Sequence, residues 1–287
     1  NADETEAFAK TVAEQIQTPA IIFLEGDSWL LKLARAPWKS KLPLTLLLLR
    51  PAESLALSRG NIATFMAKRL IKKWVEITTS SKVFSLSDPV TKSATLWTVP
   101  DPVTFEYDSS KVRELRNFWA AQVGQKNIRW VGVLGVLGPR KNIPLVAQAI
   151  NSMGLENVGL VLAGQLEADR QQLESWLTVL RLNSTPVIEI IDYLPENAFD
   201  SIIASLDCVV TAHSNEGSSG IFGKACSAGT PIVAAGAATL KTAAERVPEN
   251  AVWVPLEQVP LARAIMPRAA ATTLASPLAR ASASSSA

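Results

Sequence analysis

From residue 129 to residue 256, short apolar runs alternate with amphipathic ones, and no other feature restricts the fold as strongly. "IRWVGVLG", "VGLVLAG", "VIEIID", "DCVVTAHS", "PIVAAG" and "AVWVPL" read as strands. Between them "IPLVAQAINSM", "EADRQQLESWLTVL", "NAFDSIIASL", "SGIFGKACSAG" and "AATLKTAAERV" carry helical periodicity. Five or six strands in a row, each returning through a helix, predict an α/β fold with a doubly wound parallel sheet. Ligands of such sheets bind beyond the carboxyl ends of the strands. Those ends are the turns at 135–142, 164–167, 192–196 and 213–220.

The first hundred residues alternate in the same way, less regularly. Helices are predicted at 5–17, 27–36 and 62–79, with Asp27 capping the second, and strands at 20–26, 43–51 and 82–87. "VPDPV" (99–103) reads as a linker, because two prolines flank an aspartate and periodicity stops. "KVRELRNFWAAQ" (111–122) is then an early helix of the second half. The expected organisation is a partial first Rossmann-like domain at 1–103, a second at 104–265, and a low-complexity tail at 266–287 that builds no core. The chain begins "NADETEAFAK", without an initiator methionine, and is expected to be a fragment whose start is missing.

Composition narrows the functional classes. At 48% hydrophobic and 19% charged residues this is a core-forming protein, and a net charge of +2 gives no reason to expect a nucleic-acid partner. Cys208 and Cys226 lie in apolar segments without metal-ligand spacing, which fits a reducing, cytoplasmic compartment. One histidine, His213, leaves little room for zinc sites or multi-histidine catalysis. "LPLTLLLL" (42–49) is too short to cross a membrane and reads as a buried strand. "KRLIKKW" (68–74) is either a solvated helix face or a peripheral contact with an anionic membrane.

Two glycine-rich stretches invite nucleotide readings. "GVLGVLGPRKN" (132–142) spaces its glycines three apart, so it is not G-x-G-x-x-G. Gly132 reads as close packing within a strand. Arg140 and Lys141 lie in the turn after that strand, where cations either hold a phosphate or face solvent. "GSSGIFGKA" (217–225) has one residue too many for a P-loop, and Ala225 stands where a magnesium-binding hydroxyl would be. What remains is a helix N-terminus whose amides, Ser218 to Ile221, suit a diphosphate. The simpler alternative is that Ser218 or Ser219 caps the helix and the glycines form a turn.

In order and spacing these segments resemble glycosyltransferase family 4, retaining enzymes of GT-B fold. The resemblance runs from about residue 15 to 265 and is strongest over 130–235. "GVLGPRKNIPLVAQAI" is similar to the family's G-R-L-x-x-x-K-G segment, and "VGLVLAGQLEADRQQL" to "LVIVGDGPERxxL". "VIEIIDYLPENAFDSIIASLDCVV" is similar to "VxFLGxVSxxELxxLYxxADVFV", and "AHSNEGSSGIFGKACSAGTPIVA" to "PSxxEGFGLVxLEAMAxGTPVVA". "PAIIFLEGDSWLLKLA" and "VPDPV" resemble its "PDVIHAHDWxxxxLA" and "IPNGVD".

The resemblance implies a nucleoside-diphosphate sugar as donor, bound by the second domain. It implies a glycan or lipid-linked acceptor on the first domain, with no cofactor or metal. Lys141 would contact the diphosphate, Gly217, Ser218, Ser219 and Gly220 would offer backbone donors, and Glu216 would accept from sugar hydroxyls. Gly135, Arg140, Asn142, Gly164 and Lys224 complete the implied donor face, and His213, which ends the strand before Glu216, either approaches the sugar or is a turn residue. The chain departs from the pattern at Val136, where the family has arginine, and at Lys224, where it has the glutamate that holds the ribose. It departs again near Arg50, where a histidine is usual. The family's N-terminal glycine loop and its C-terminal crossing helix find no counterpart. The alternative is a degenerate GT-B protein that binds a nucleotide, a sugar phosphate or a protein partner without turnover.

Overall fold

The computed structural model describes residues 2–49, 62–79, 81–87, 98–125, 127–154, 157–217 and 219–271. Two compact units emerge: Asn1–Asp101 with Glu216–Ser218, and Pro102–Asn215 with Ser219–Ala287.

The first unit holds a parallel sheet in the order β1-β2-β3-β4, formed by Ile21–Phe23, Leu44–Leu48, Lys82–Ser87 and Thr98–Pro100. Helices α1 (Ala2–Gln15), α2 (Gly26–Arg35) and α3 (Ile62–Thr79) accompany it. Strand β2 alternates buried Leu44, Leu46 and Leu48 with half-buried residues, and these leucines pack with Leu30, Leu33, Trp38, Val75 and Val83. Two expectations need correction. The N-cap of α2 is Glu25, not Asp27, and Glu25 makes no side-chain cap bond. Asp27 lies in the first turn, and its Oδ2 accepts from the Leu49 N–H at 2.7 Å, so it ties the helix to the end of β2. The start of "VPDPV" is not linker but the edge strand β4, where Pro100 pairs with Ser87 as the last residue and its missing donor costs the ladder little.

The second unit contains β5 (Arg129–Leu134), β6 (Val158–Ala163), β7 (Val187–Ile190), β8 (Cys208–His213), β9 (Ile232–Gly236) and β10 (Ala251–Val254). All pairs are parallel and the order is β7-β6-β5-β8-β9-β10, the doubly wound arrangement whose switch point lies between β5 and β8. The helices are α4 (Ser109–Val123), α5 (Ile143–Ser152), α6 (Arg170–Leu182), α7 (Glu196–Ser205), α8 (Gly220–Ser227), α9 (Ala238–Arg246) and α10 (Gln258–Ala271). Strands β6 and β8 are buried throughout, as expected of a sheet covered on both faces. Asp108 and Asp169 cap α4 and α6 through their side chains.

At the amino ends of the strands Asp207, 3% exposed, accepts from the Trp130 N–H at 2.8 Å and pairs with Arg116. This fixes α4 beside β5, where Trp119 and Trp130 meet edge to face. Helix α10 corrects the predicted tail. Its first turns bury Leu261, Ala262, Ala264 and Ile265 in the main core, and it continues through Pro267 to Ala271. The rest of the tail, 272–287, lies outside the described residues, as does Arg50.

Candidate donor-binding site

Strands β5 and β8 are in register only at Val131↔Cys208 and Gly132↔Val209. Yet β5 follows β6 up to Leu134↔Ala163, and β8 follows β9 up to His213↔Gly236. The carboxyl halves of the two central strands therefore diverge, which opens the crevice where doubly wound sheets bind ligands. Gly132 permits this packing: a Cβ there would come within 2.2 Å of Leu206 Cδ1.

The turn after β5 is held on both sides of the crevice. The Gly135 and Leu137 amides donate to Ala163 and Gln165, and the Glu167 amide donates to Leu137. A short 3₁₀ turn, Pro139–Lys141, leads to Asn142 in the left-handed region. Asn142 Nδ2 donates to the carbonyls of Arg140 and Ala212, and the Ser214 amide donates to Arg140. Asn142 thus pins the turn to β8. Gly135, at φ +92°, leaves space 3.8 Å from Lys141 Nζ and 3.5 Å from Ile221 of α8. Gly164, at φ +128°, has Gly135 O where a Cβ would stand. Both positions require glycine for backbone reasons.

The outcome is a buried cation. Lys141 is 4% exposed, and its Nζ lies 3.1 Å from His213 Nε2. Among the described residues no carboxylate is within ion-pair distance of it. Burial, then the charge of Arg140, brings the lysine down to about 8. Burial, then the charges of Lys141 and Arg140, brings His213 down to about 3. His213 is fixed at its backbone, since the Ala237 amide donates to its carbonyl at 2.9 Å. Arg140 is exposed.

Helix α8 starts at Gly220 after an extended Ser219, whose Oγ accepts from the Phe222 N–H at 3.3 Å. Ser219 therefore serves as the cap. A Cβ at Gly217 or Gly220 would meet open space, and Gly217 sits at φ +147°. Glu216 and Gly217 are half-buried and are grouped with the first unit. Ser218 lies outside the described residues.

Lys224 turns to a different set of partners. Its Nζ donates to Asp200 Oδ1 at 2.7 Å, Glu196 Oε2 at 2.6 Å and the Thr104 carbonyl at 3.0 Å. Burial alone would lower its pKa, but hydrogen bonds and charge from Asp200 and Glu196 outweigh this and raise it. Sequence reasoning missed Asp200, which is 2% exposed and also accepts from the Glu106 amide. The available signal was an aspartate inside the apolar helical run "NAFDSIIASL". The structure thus brings together Gly135, Lys141, Asn142, Gly164 and His213, and ties Lys224 to α7. A separate cleft of about 640 Å³, lined by residues from Arg116 to Trp130, opens at the amino end of β5, away from Lys141.

Residues 125–266 match the family model described as glycosyl transferases group 1. No curated protein sequence matches the chain. Among solved structures it is similar to Anabaena Alr3699/HepE in complex with UDP-glucose, with 18% identity and a TM-score of 0.64 over 94% of this chain and 74% of that one. It is also similar to sucrose-phosphate synthase from Thermosynechococcus elongatus, with 16% identity and a TM-score of 0.62 over 96% and 69%. A UDP-forming trehalose-phosphate synthase from Burkholderia xenovorans, in complex with glucose-6-phosphate, gives 12% identity and a TM-score of 0.57 over 96% and 70%. The second unit therefore carries a glycosyl transferases group 1 match, on parallel-sheet units of GT-B type.

Proposed function

We propose that this chain, with its glycosyl transferases group 1 match, is a retaining family 4 glycosyltransferase that moves a sugar from a nucleoside-diphosphate sugar to a glycan or lipid-linked acceptor. The observation that carries the reading is Lys141: a buried ammonium with no carboxylate partner among the described residues, beside a glycine turn, at the switch point of a doubly wound sheet. Such a cation is costly to bury unless an anion meets it. As the bond from the sugar to the diphosphate breaks, negative charge gathers on the leaving oxygens. Lys141 and the amides at the start of α8 would stabilise that charge. In this reading no metal takes that role, and Glu216 accepts from the sugar hydroxyls.

The acceptor is assigned to the first unit, at the inner face of a membrane. Helix α3 supports this: Met66, Leu70, Trp74 and Ile77 share one face at 48%, 64%, 55% and 68% exposure, while Val75 is fully buried. Arg69 and Lys73 flank the stripe, and an apolar face with tryptophan and a basic edge suits an anionic lipid surface. Among the described residues no helix is long and apolar enough to cross a membrane.

The test is incubation with UDP-glucose, ADP-glucose and GDP-mannose, with release of the nucleoside diphosphate as the readout. Slow donor hydrolysis, accelerated by an acceptor, is expected; release from none of them over a no-protein control defeats the transferase reading. A second reading, binding without turnover, is favoured by Lys224. It fills the family's ribose-binding carboxylate position and is itself engaged by Asp200 and Glu196.

A further inference from the structure

The contact between Lys141 and His213 constrains protons as well as positions. A lysine ammonium has three donors and no acceptor, so His213 Nε2 must accept at 3.1 Å and the imidazole proton must sit on Nδ1. Two cations cannot share this buried place without an anion, and the histidine is the one that yields. Among the described residues the charged groups acting on the imidazole are Lys141 and Arg140, both from the turn after β5. Strand β9 (Ile232–Gly236) brings no titratable side chain, and the charged residue of α8, Lys224, is engaged by Asp200 and Glu196. Glu216 follows three residues later in the chain.

We infer that His213 is the proton-carrying ligand of this site. Before a nucleotide sugar binds it is neutral and accepts from Lys141; with the diphosphate bound it is protonated and donates to a phosphate oxygen. The added proton comes from solvent, and the charge of the diphosphate is what makes two adjacent cations tolerable. The inference rests on the donor-site reading and deepens it. The position is also distinctive in sequence, since His213 stands where the family pattern quoted above has serine.

The experiment is isothermal titration of UDP-glucose at pH 7 in buffers of different ionisation enthalpy. The diphosphate of UDP-glucose is a diester and does not titrate near neutrality, so protons taken up come from the protein. Lys141, lowered to about 8, is already roughly nine-tenths protonated at pH 7 and supplies at most about a tenth of a proton. The expected result is uptake well above that, roughly a third of a proton or more per UDP-glucose, with affinity falling about threefold or more from pH 6 to pH 8. His213→Gln keeps an acceptor for Lys141 and is expected to show neither. UDP-glucose binding without this uptake overturns the inference and leaves the donor site standing, as does equal uptake by His213→Gln. An affinity loss in His213→Gln that is the same at every pH marks a merely structural histidine and also overturns it. If UDP-glucose, ADP-glucose and GDP-mannose all fail to bind at any pH, the donor-site reading falls and the inference with it. Uptake by the wild-type protein decides the matter even where the variant does not fold.

Discussion

Lys224 is bonded to Asp200 at 2.7 Å, and this pair joins α8 to α7 within the second unit. Asp200 is nearly inaccessible, whereas the second carboxylate, Glu196, is largely exposed and adds little. Removing the ammonium leaves a buried carboxylate whose one remaining donor among the described residues is the Glu106 amide. Lys224→Met is expected to cost about 2–3 kcal/mol in urea unfolding. Lys224→Glu, which adds a third carboxylate, should cost more. Combining Lys224→Met with Asp200→Asn should recover part of the loss.

Stability should also depend on pH through the site itself. His213 lies near 3 in the folded protein against 6.5 for the free side chain, so the unfolded chain binds more protons between those values. Its contribution is complete above pH 6.5 and lost as pH falls toward 3, at up to about 1.4 kcal/mol per pH unit. Lys141, lowered from 10.5 to about 8, makes stability rise with pH across that window. Chemical unfolding between pH 4 and pH 7 should show a steep acid limb that His213→Gln flattens.

Much of the second unit was legible because strands buried on both faces read as continuous apolar runs and each was bounded by a helix. Helix 62–79 and strand 82–87 were equally plain, having strong periodicity and no competing turn chemistry. What escaped was tertiary. Asp27 seemed a cap by type, but Leu49 takes its carboxylate. The stretch from 266 reads as a low-complexity tail, yet the helix anchored by buried Leu261 and Ile265 continues through Pro267 to Ala271. Within the site, the turn and its cation could be read from "GPRKN". The histidine as the lysine's partner, and Asp200 as the anchor of Lys224, depend on residues 72 and 24 positions apart, which local patterns do not reveal.

The exposed stripe of α3 makes a prediction independent of the donor site. The wild-type protein should co-sediment with vesicles rich in phosphatidylglycerol and not with phosphatidylcholine vesicles, and added salt should weaken the binding. Leu70→Asp with Trp74→Asp should reduce it by about tenfold or more without loss of fold, because neither side chain enters the core. Equal sedimentation of the double variant, or concentration-dependent dimerisation of the wild type through this face, would count against a membrane contact.

Lys141→Met tests the proposed donor site most directly. Replacing a buried cation that has no carboxylate partner among the described residues should leave the melting temperature of the ligand-free protein unchanged or raise it. The measurement is isothermal titration of UDP, ADP and GDP into wild-type and Lys141→Met protein. The expected result is that at least one of these binds the wild type and binds the variant about tenfold or more weakly, as for the loss of a charged hydrogen bond to phosphate. Equal affinity in the two proteins, or no binding of any of the three to the wild type, would contradict it.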